Sequence, residues 1–175
     1  MGLNGKYKTY GIILFSHDCK YVLSVFQNYS KMWGLPKGQD DIPNEKNINC
    51  AMRELNEETG IKKDAYKIIG EIIFYKTHYF YIAKLNKQHS IDKLTYKYLD
   101  SNEIGSITWI PVDDIKTFVH NNPCNSTLYG LSQNLTDIMK VIKCKNSYIY
   151  SFGWKPRSNC YESTRSDVSN WRPYP

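Results

Sequence analysis

Gly38-Gln39-Asp40-Asp41-Ile42-Pro43-Asn44-Glu45, followed after seven residues by Arg53-Glu54-Leu55-Asn56-Glu57-Glu58-Thr59-Gly60-Ile61, is the stretch that decides how this chain folds. Glu54, Glu57 and Glu58 stand at i, i+3 and i+4, so a helix sets all three carboxylates on one face. A helix is expected from about Glu45 to Glu58, with Asn44 as its N-cap and Gly60 as its C-terminal stop. Ile48, Met52 and Leu55, with Ala51 beside them, form its apolar stripe, about 100° around the helix from the carboxylates. Adjacent carboxylates repel one another and destabilise a fold unless positive charge sits among them. A hard divalent cation that takes oxygen ligands supplies that charge, and with a phosphate substrate it suits attack of water on phosphorus. By themselves three such glutamates are an ordinary solvated helix face; here they stand in register with Arg53, Gly60, Ile61 and Glu45.

Working outward, Tyr7 to Phe15 reads as a strand and Tyr21 to Phe26 as its hairpin partner. Trp33-Gly34-Leu35-Pro36-Lys37-Gly38 is short and extended, because Pro36 biases Leu35 away from helix. Beyond the helix, Tyr66 to Tyr75, His78 to Leu85 and Ile104 to Val112 read as strands, with a polar excursion over Asn86 to Asp100. A short helix follows over Asp113 to Val119. A final amphipathic helix spans Leu128 to Lys143, with Leu131, Leu135, Ile138 and Ile142 on one face. No periodic element is legible in residues 145–175, and there is no internal repeat. The expected division is a catalytic domain over 1–143 and a basic, aromatic-rich segment over 144–175.

The central stretch resembles the Nudix box: Gly, five residues, Glu, seven residues, then Arg-Glu-U-x-Glu-Glu-x-Gly-U, where U is bulky and aliphatic. Every fixed position from Glu45 onward matches; Gly38 precedes Glu45 by six residues, which reads as one extra residue in the loop. The resemblance implies an α/β (α+β) fold, an α/β/α sandwich around a mixed sheet, here followed by a basic C-terminal helix and tail. It implies Mg²⁺ or Mn²⁺ held by Glu54 and Glu58, with the Gly38 carbonyl as a further ligand. Glu57 is then another ligand or the base that activates water. Arg53 orients the carboxylates and Glu45 is its partner, unless the two are no more than a surface ion pair.

Two further segments resemble the catalytic Nudix domain of the eukaryotic mRNA-decapping enzyme: Trp33-Gly34-Leu35-Pro36-Lys37-Gly38, and Asn102-Glu103-Ile104-Gly105-Ser106-Ile107-Thr108-Trp109. The resemblance makes Glu103 an additional ligand or general base, against the alternative of a loop carboxylate. Trp33 and Lys37 become substrate-binding candidates. Lys37 would meet a phosphate as a point charge, or be an exposed loop lysine. That family's helical regulatory domain has no counterpart before the first strand, so a minimal catalytic domain or an unrelated partner is expected.

Composition narrows the setting. Of the 175 residues 41% are hydrophobic and 23% charged, as in ordinary globular proteins, and no apolar run is long enough to cross a membrane. With no signal-peptide pattern at the start, a cytoplasmic protein is expected. Five widely spaced cysteines with no CxxC pair point to reduced thiols rather than a zinc cluster. Lys140, Lys143, Lys145, Lys155, Arg157, Arg165 and Arg172 stand against only Glu162 and Asp167, so most of the net +6 charge lies after residue 137. Interleaved with Tyr148, Tyr150, Phe152, Trp154, Tyr161, Trp171 and Tyr174, these cations suit contact with RNA, or the aromatics pack back onto the domain. The expected activity is cleavage of a phosphoanhydride, foremost in capped RNA. The alternatives are a small nucleoside polyphosphate, a diphosphoinositol polyphosphate, or a non-catalytic RNA- or nucleotide-binding module.

Overall fold

A computed structural model describes residues 8–94, 96 and 102–143 and the backbone of Ser151–Gly153. Strand β1 (Thr9–Phe15) is buried from Tyr10 onward, with Tyr10, Ile12 and Leu14 turned to one face and Ile13 and Phe15 to the other. Its unbroken apolar run follows from cover on both faces. It pairs in parallel with β6 (His78–Leu85), which is antiparallel to β5 (Tyr66–Phe74). On its other flank β1 meets β2 (Tyr21–Gln27) only at Phe15↔Val22, and β4 (Lys37–Gln39) over Thr9 to Gly11. β2 in turn pairs with β3 (Met32–Gly34) and with β7 (Ile104–Pro111).

The mixed sheet therefore opens between β1 and β2, and Leu35-Pro36 steps across the opening from β3 to β4. Gly11 is needed for that step: a Cβ there would overlap the Pro36 carbonyl, to which Ile12 N–H donates at 3.2 Å. Helix α1 (Asn47–Thr59) covers one face, burying Cys50, Ala51 and Leu55 against Tyr10, Ile12, Leu14, Leu23 and Ala83. Helices α2 (Ile115–Asn121) and α3 (Ser126–Lys143) cover the other, with Leu128, Leu131, Ile138 and Val141 against Phe15, Phe74 and Phe80. This is the expected sandwich. Among the described residues no helix is long and apolar enough to cross a membrane.

Several boundaries differ from those expected. α1 begins at Asn47, and Asn44 is not its N-cap: Asn44 has φ 63°, and Lys46 holds the cap position without a side-chain bond. Ile42-Pro43-Asn44-Glu45 forms a reverse turn instead, closed by Glu45 N–H to Ile42 O at 3.1 Å. Proline followed by a residue at positive φ is the pattern such a turn favours. At its far end α1 stops where expected, with Gly60 at φ 76° and its N–H on Asn56 O.

α3 starts at Ser126, ahead of Leu128, because the Asn125 carboxamide oxygen accepts from Thr127 N–H at 3.1 Å and Leu128 N–H at 3.3 Å. The polar excursion after β6 is partly apolar cover: Ile91, Leu94 and Tyr96 pack on the α1 side, and Trp109 Nε1–H donates to Tyr96 Oη. A short strand β8 (Ser151–Gly153) pairs in parallel with β5 where no element was expected. Otherwise the basic segment 144–175 lies outside the described residues, as does Tyr7.

Candidate active site

The buried arc of α1 keeps Ala51 and Leu55 of the expected apolar stripe but not all of it. Ile48 and Met52 are only half-buried, while Glu54 is 9% and Glu58 3% exposed. The arc is shifted toward the carboxylates because β4 lies against them, and Gly38 makes that approach possible: a Cβ at Gly38 would overlap the Glu54 carboxylate. Cys50 fixes the same contact from the helix side, its Sγ–H donating to Gln39 O at 3.2 Å. Burial pushes its thiol up to about 11, so it stays protonated there. Nothing in the sequence marked Cys50 for this role, since one cysteine on an apolar face has no distinguishing spacing.

Glu58 receives the Lys37 backbone N–H on Oε2 at 3.3 Å, and its buried Oε1 has no hydrogen-bond partner. Burial raises the Glu58 carboxyl well above the usual range; the Lys37 charge opposes this, and Glu103 and Glu54 add to it. Burial also raises Glu54, with Arg53 opposing and Glu57 and Glu103 adding. Glu103 is exposed, just before β7, where its carbonyl accepts Asn28 N–H at 2.7 Å and Ile104 pairs with Gln27 after an irregularity in β2. Its charge is thus felt by both buried glutamates although it lies more than 40 residues further along the chain.

Arg53 gathers the others. Its Nη1 donates to Glu54 Oε1 at 2.7 Å and to Glu57 Oε2 at 2.9 Å, and its Nη2 to Glu45 Oε2 at 3.3 Å and Gln39 O at 3.1 Å. Burial works against the guanidinium's charge, and Glu45, Glu54 and Glu57 outweigh it, so Arg53 titrates above its ordinary value. Among the described residues no three acidic, histidine or cysteine side chains are already gathered closely enough to hold an ion. Arg53 instead supplies the positive charge that Glu54 and Glu57 need. The donor set still fits a hard cation: carboxylate oxygens throughout, one of them buried and unpartnered, with the Gly38 backbone flush against another.

The structure so brings together Lys37, Gly38, Glu54, Glu58 and Glu103, with Arg53, Glu45 and Glu57 at the rim. Trp33 belongs to a different cluster. Its ring makes edge contacts with Phe26 at 5.3 Å and Phe118 at 5.8 Å, within the core beneath α2 and α3.

Comparison with known proteins bears on family and fold. The NUDIX domain family matches residues 6–127. A candidate mRNA-decapping protein of Acanthamoeba polyphaga mimivirus is 37% identical over 97 residues, 49% of this chain and 26% of that protein. The mRNA decapping complex subunit 2 of Schizosaccharomyces pombe is 29% identical over 124 residues, 67% of this chain and 16% of that protein. The chain thus spans a minor part of the length of either curated relative. Among solved structures the fold is similar to that of a C. elegans Ap4A hydrolase, with TM-score 0.58 and 20% identity, over 76% of this chain and 98% of that one. Family match, shared fold and a three-glutamate face with its arginine, glycine stop and Gly38 contact all converge: the chain belongs to the Nudix hydrolase family.

Proposed function

We propose that this protein hydrolyses a phosphoanhydride bond with a divalent metal, and that its substrate is the cap triphosphate of RNA. The products are 7-methylguanosine diphosphate and 5′-monophosphate RNA. The observation that carries the reading is the buried, half-unpartnered Glu58 carboxylate set beside Glu54 and Gly38, with Glu103 acting on both glutamates. A protein does not bury such a group without partners unless something else completes it.

Glu54, Glu58 and the Gly38 carbonyl would hold Mg²⁺ or Mn²⁺, with Glu57 turning to it from Arg53. When bound, that ion supplies Lewis acidity toward phosphoryl oxygens and lowers the pKa of water. Glu103, exposed opposite the helix, accepts the proton of the attacking water; the new P–O bond forms as the bond to the diphosphate leaving group breaks. Arg53 keeps Glu54 and Glu57 in place, anchored by Glu45. Lys37 meets a substrate phosphate, and the half-exposed Trp33 borders the same chain segment. Residues 144–175 contact the RNA body.

The decapping names carried by two relatives support the capped substrate. The non-catalytic alternative rests on the extra loop residue; the approach of Gly38 to Glu54 in spite of it favours the catalytic reading. The test uses RNA labelled in the cap phosphates, with Mg²⁺ or Mn²⁺, beside free dinucleoside tetraphosphate and diphosphoinositol polyphosphate. Release of 7-methylguanosine diphosphate from RNA supports the proposal. Turnover of a small compound with capped RNA left intact would replace the substrate and keep the chemistry.

A further inference from the structure

Between Trp33 and Gly38 the chain crosses the opening in the sheet, and successive backbone groups hold it there. Trp33 N–H donates to Pro123 O at 2.8 Å, and Trp33 O accepts Asn125 N–H at 2.8 Å. Gly34 O accepts the buried Ser24 hydroxyl at 2.8 Å. Leu35 N–H donates to Thr127 Oγ1 at 3.3 Å, and Lys37 N–H donates to Glu58 Oε2 at 3.3 Å. Two glycines four positions apart mark where polar side chains reach in. A Cβ at Gly38 would overlap the Glu54 carboxylate of α1, and a Cβ at Gly34 would overlap the Asn125 carboxamide just ahead of α3.

Thr127 ties the α3 end of this arrangement to the segment. It is fully buried, and its hydroxyl donates to Asn125 Oδ1 at 2.7 Å, which leaves its lone pairs for Leu35 N–H. The relay runs one way, from Leu35 to Thr127 to Asn125. The Asn125 oxygen also accepts the Thr127 and Leu128 N–H groups, so its carboxamide is fixed with the nitrogen toward Gly34 and Gln27 Oε1. Those two N–H groups cap the helix; the acceptor capacity of the hydroxyl serves Leu35. Without it the buried Leu35 N–H would lose its acceptor, at a cost the chain can escape only by shifting. Pro36, with its φ set by the ring, leaves little freedom to absorb such a shift before Lys37.

We propose that Thr127 is a positioning residue for the glutamate site: through Leu35 it fixes the step Leu35-Pro36-Lys37-Gly38, and so keeps Lys37 N–H on Glu58 and the Gly38 backbone against Glu54. The inference rests on the cation-dependent reading above and goes beyond it. It places a determinant of the site on α3, the helix that covers the opposite face of the sheet from α1.

The test compares the full chain with Thr127→Val and Thr127→Ala, which remove the hydroxyl, and Thr127→Ser, which keeps it. Ile138→Val, which trims α3 in its buried core, serves as the control for packing alone. Amide hydrogen exchange is followed in metal-free protein, and Mn²⁺ binding by calorimetry. In Thr127→Val and Thr127→Ala the Leu35 and Lys37 amides should gain exchange by more than Ile82 in the centre of β6, which reports global opening. Mn²⁺ affinity should fall on the order of ten-fold in both, as when a group that orients metal ligands from behind is lost. Thr127→Ser should keep both properties, and Ile138→Val should lower the thermal midpoint with Mn²⁺ affinity unchanged. Mn²⁺ affinity equal to wild type in Thr127→Val, or a Lys37 amide that follows Ile82, overturns the proposal, as does an equal loss in Thr127→Ser. If wild type binds no Mn²⁺ while the Lys37 amide still responds to the hydroxyl, the cation reading falls and the hold of Thr127 on Lys37 stands.

Discussion

Glu58 is the residue on which cost and use are easiest to separate. Its carboxylate is buried and half-satisfied, so Glu58→Gln removes a charge that the fold bears with difficulty. Hydrolysis should fall by a factor on the order of 10²–10⁴, while the thermal midpoint stays at or above that of wild type. A large loss of stability would instead make Glu58 a structural residue. Gly38→Ala should act differently, because its methyl overlaps the Glu54 carboxylate: both activity and stability fall, the latter by about 1–3 kcal/mol. His78 supplies a pH signature. Burial and then the Lys37 charge lower its pKa from 6.5, so the fold favours the neutral ring. Its contribution is complete above the unfolded-state value and is lost as pH falls through that value toward the lower folded one. Unfolding followed between pH 7.5 and 5 should show a shallower decline in His78→Gln than in wild type.

At the scale of elements, α1 shows what a single sequence carries. The i, i+3, i+4 glutamates and Gly60 set the helix, its register and its end, because those features are local to one helical turn. Which arc is buried was not legible: it depends on Gly38 admitting Glu54, a contact made 16 positions away in the chain. For the same reason the apolar stripe over Ile48 and Met52 was too generously placed, and Asn44 looked like the N-cap when it sits inside a turn. Trp33 reads as a site residue from its neighbours in sequence, yet its packing is decided by Phe26 and Phe118 on other elements. The start of α3 was missed because Asn125 sits outside the apolar period. Asn125→Ala should cost about 1 kcal/mol, seen as a lowered denaturation midpoint with the unfolding slope unchanged.

For the whole molecule, the sandwich places the carboxylate helix on one side of the sheet and two helices on the other, and the opening between β1 and β2 is where the chain delivers Gly38 to Glu54. Charge is unevenly spread, with most of the +6 after residue 137. If that segment grips RNA, ending the chain at residue 143 should raise KM for long capped RNA and weaken its salt dependence, leaving a capped dinucleotide unaffected. The expectations about hydrolysis presuppose that the glutamate face is a cation site, and the most direct test is calorimetric titration of Mn²⁺ into wild type, Glu58→Gln and Glu54→Gln. The account predicts binding to wild type that each substitution weakens at least ten-fold. Mn²⁺ affinity that is the same in all three proteins would contradict it.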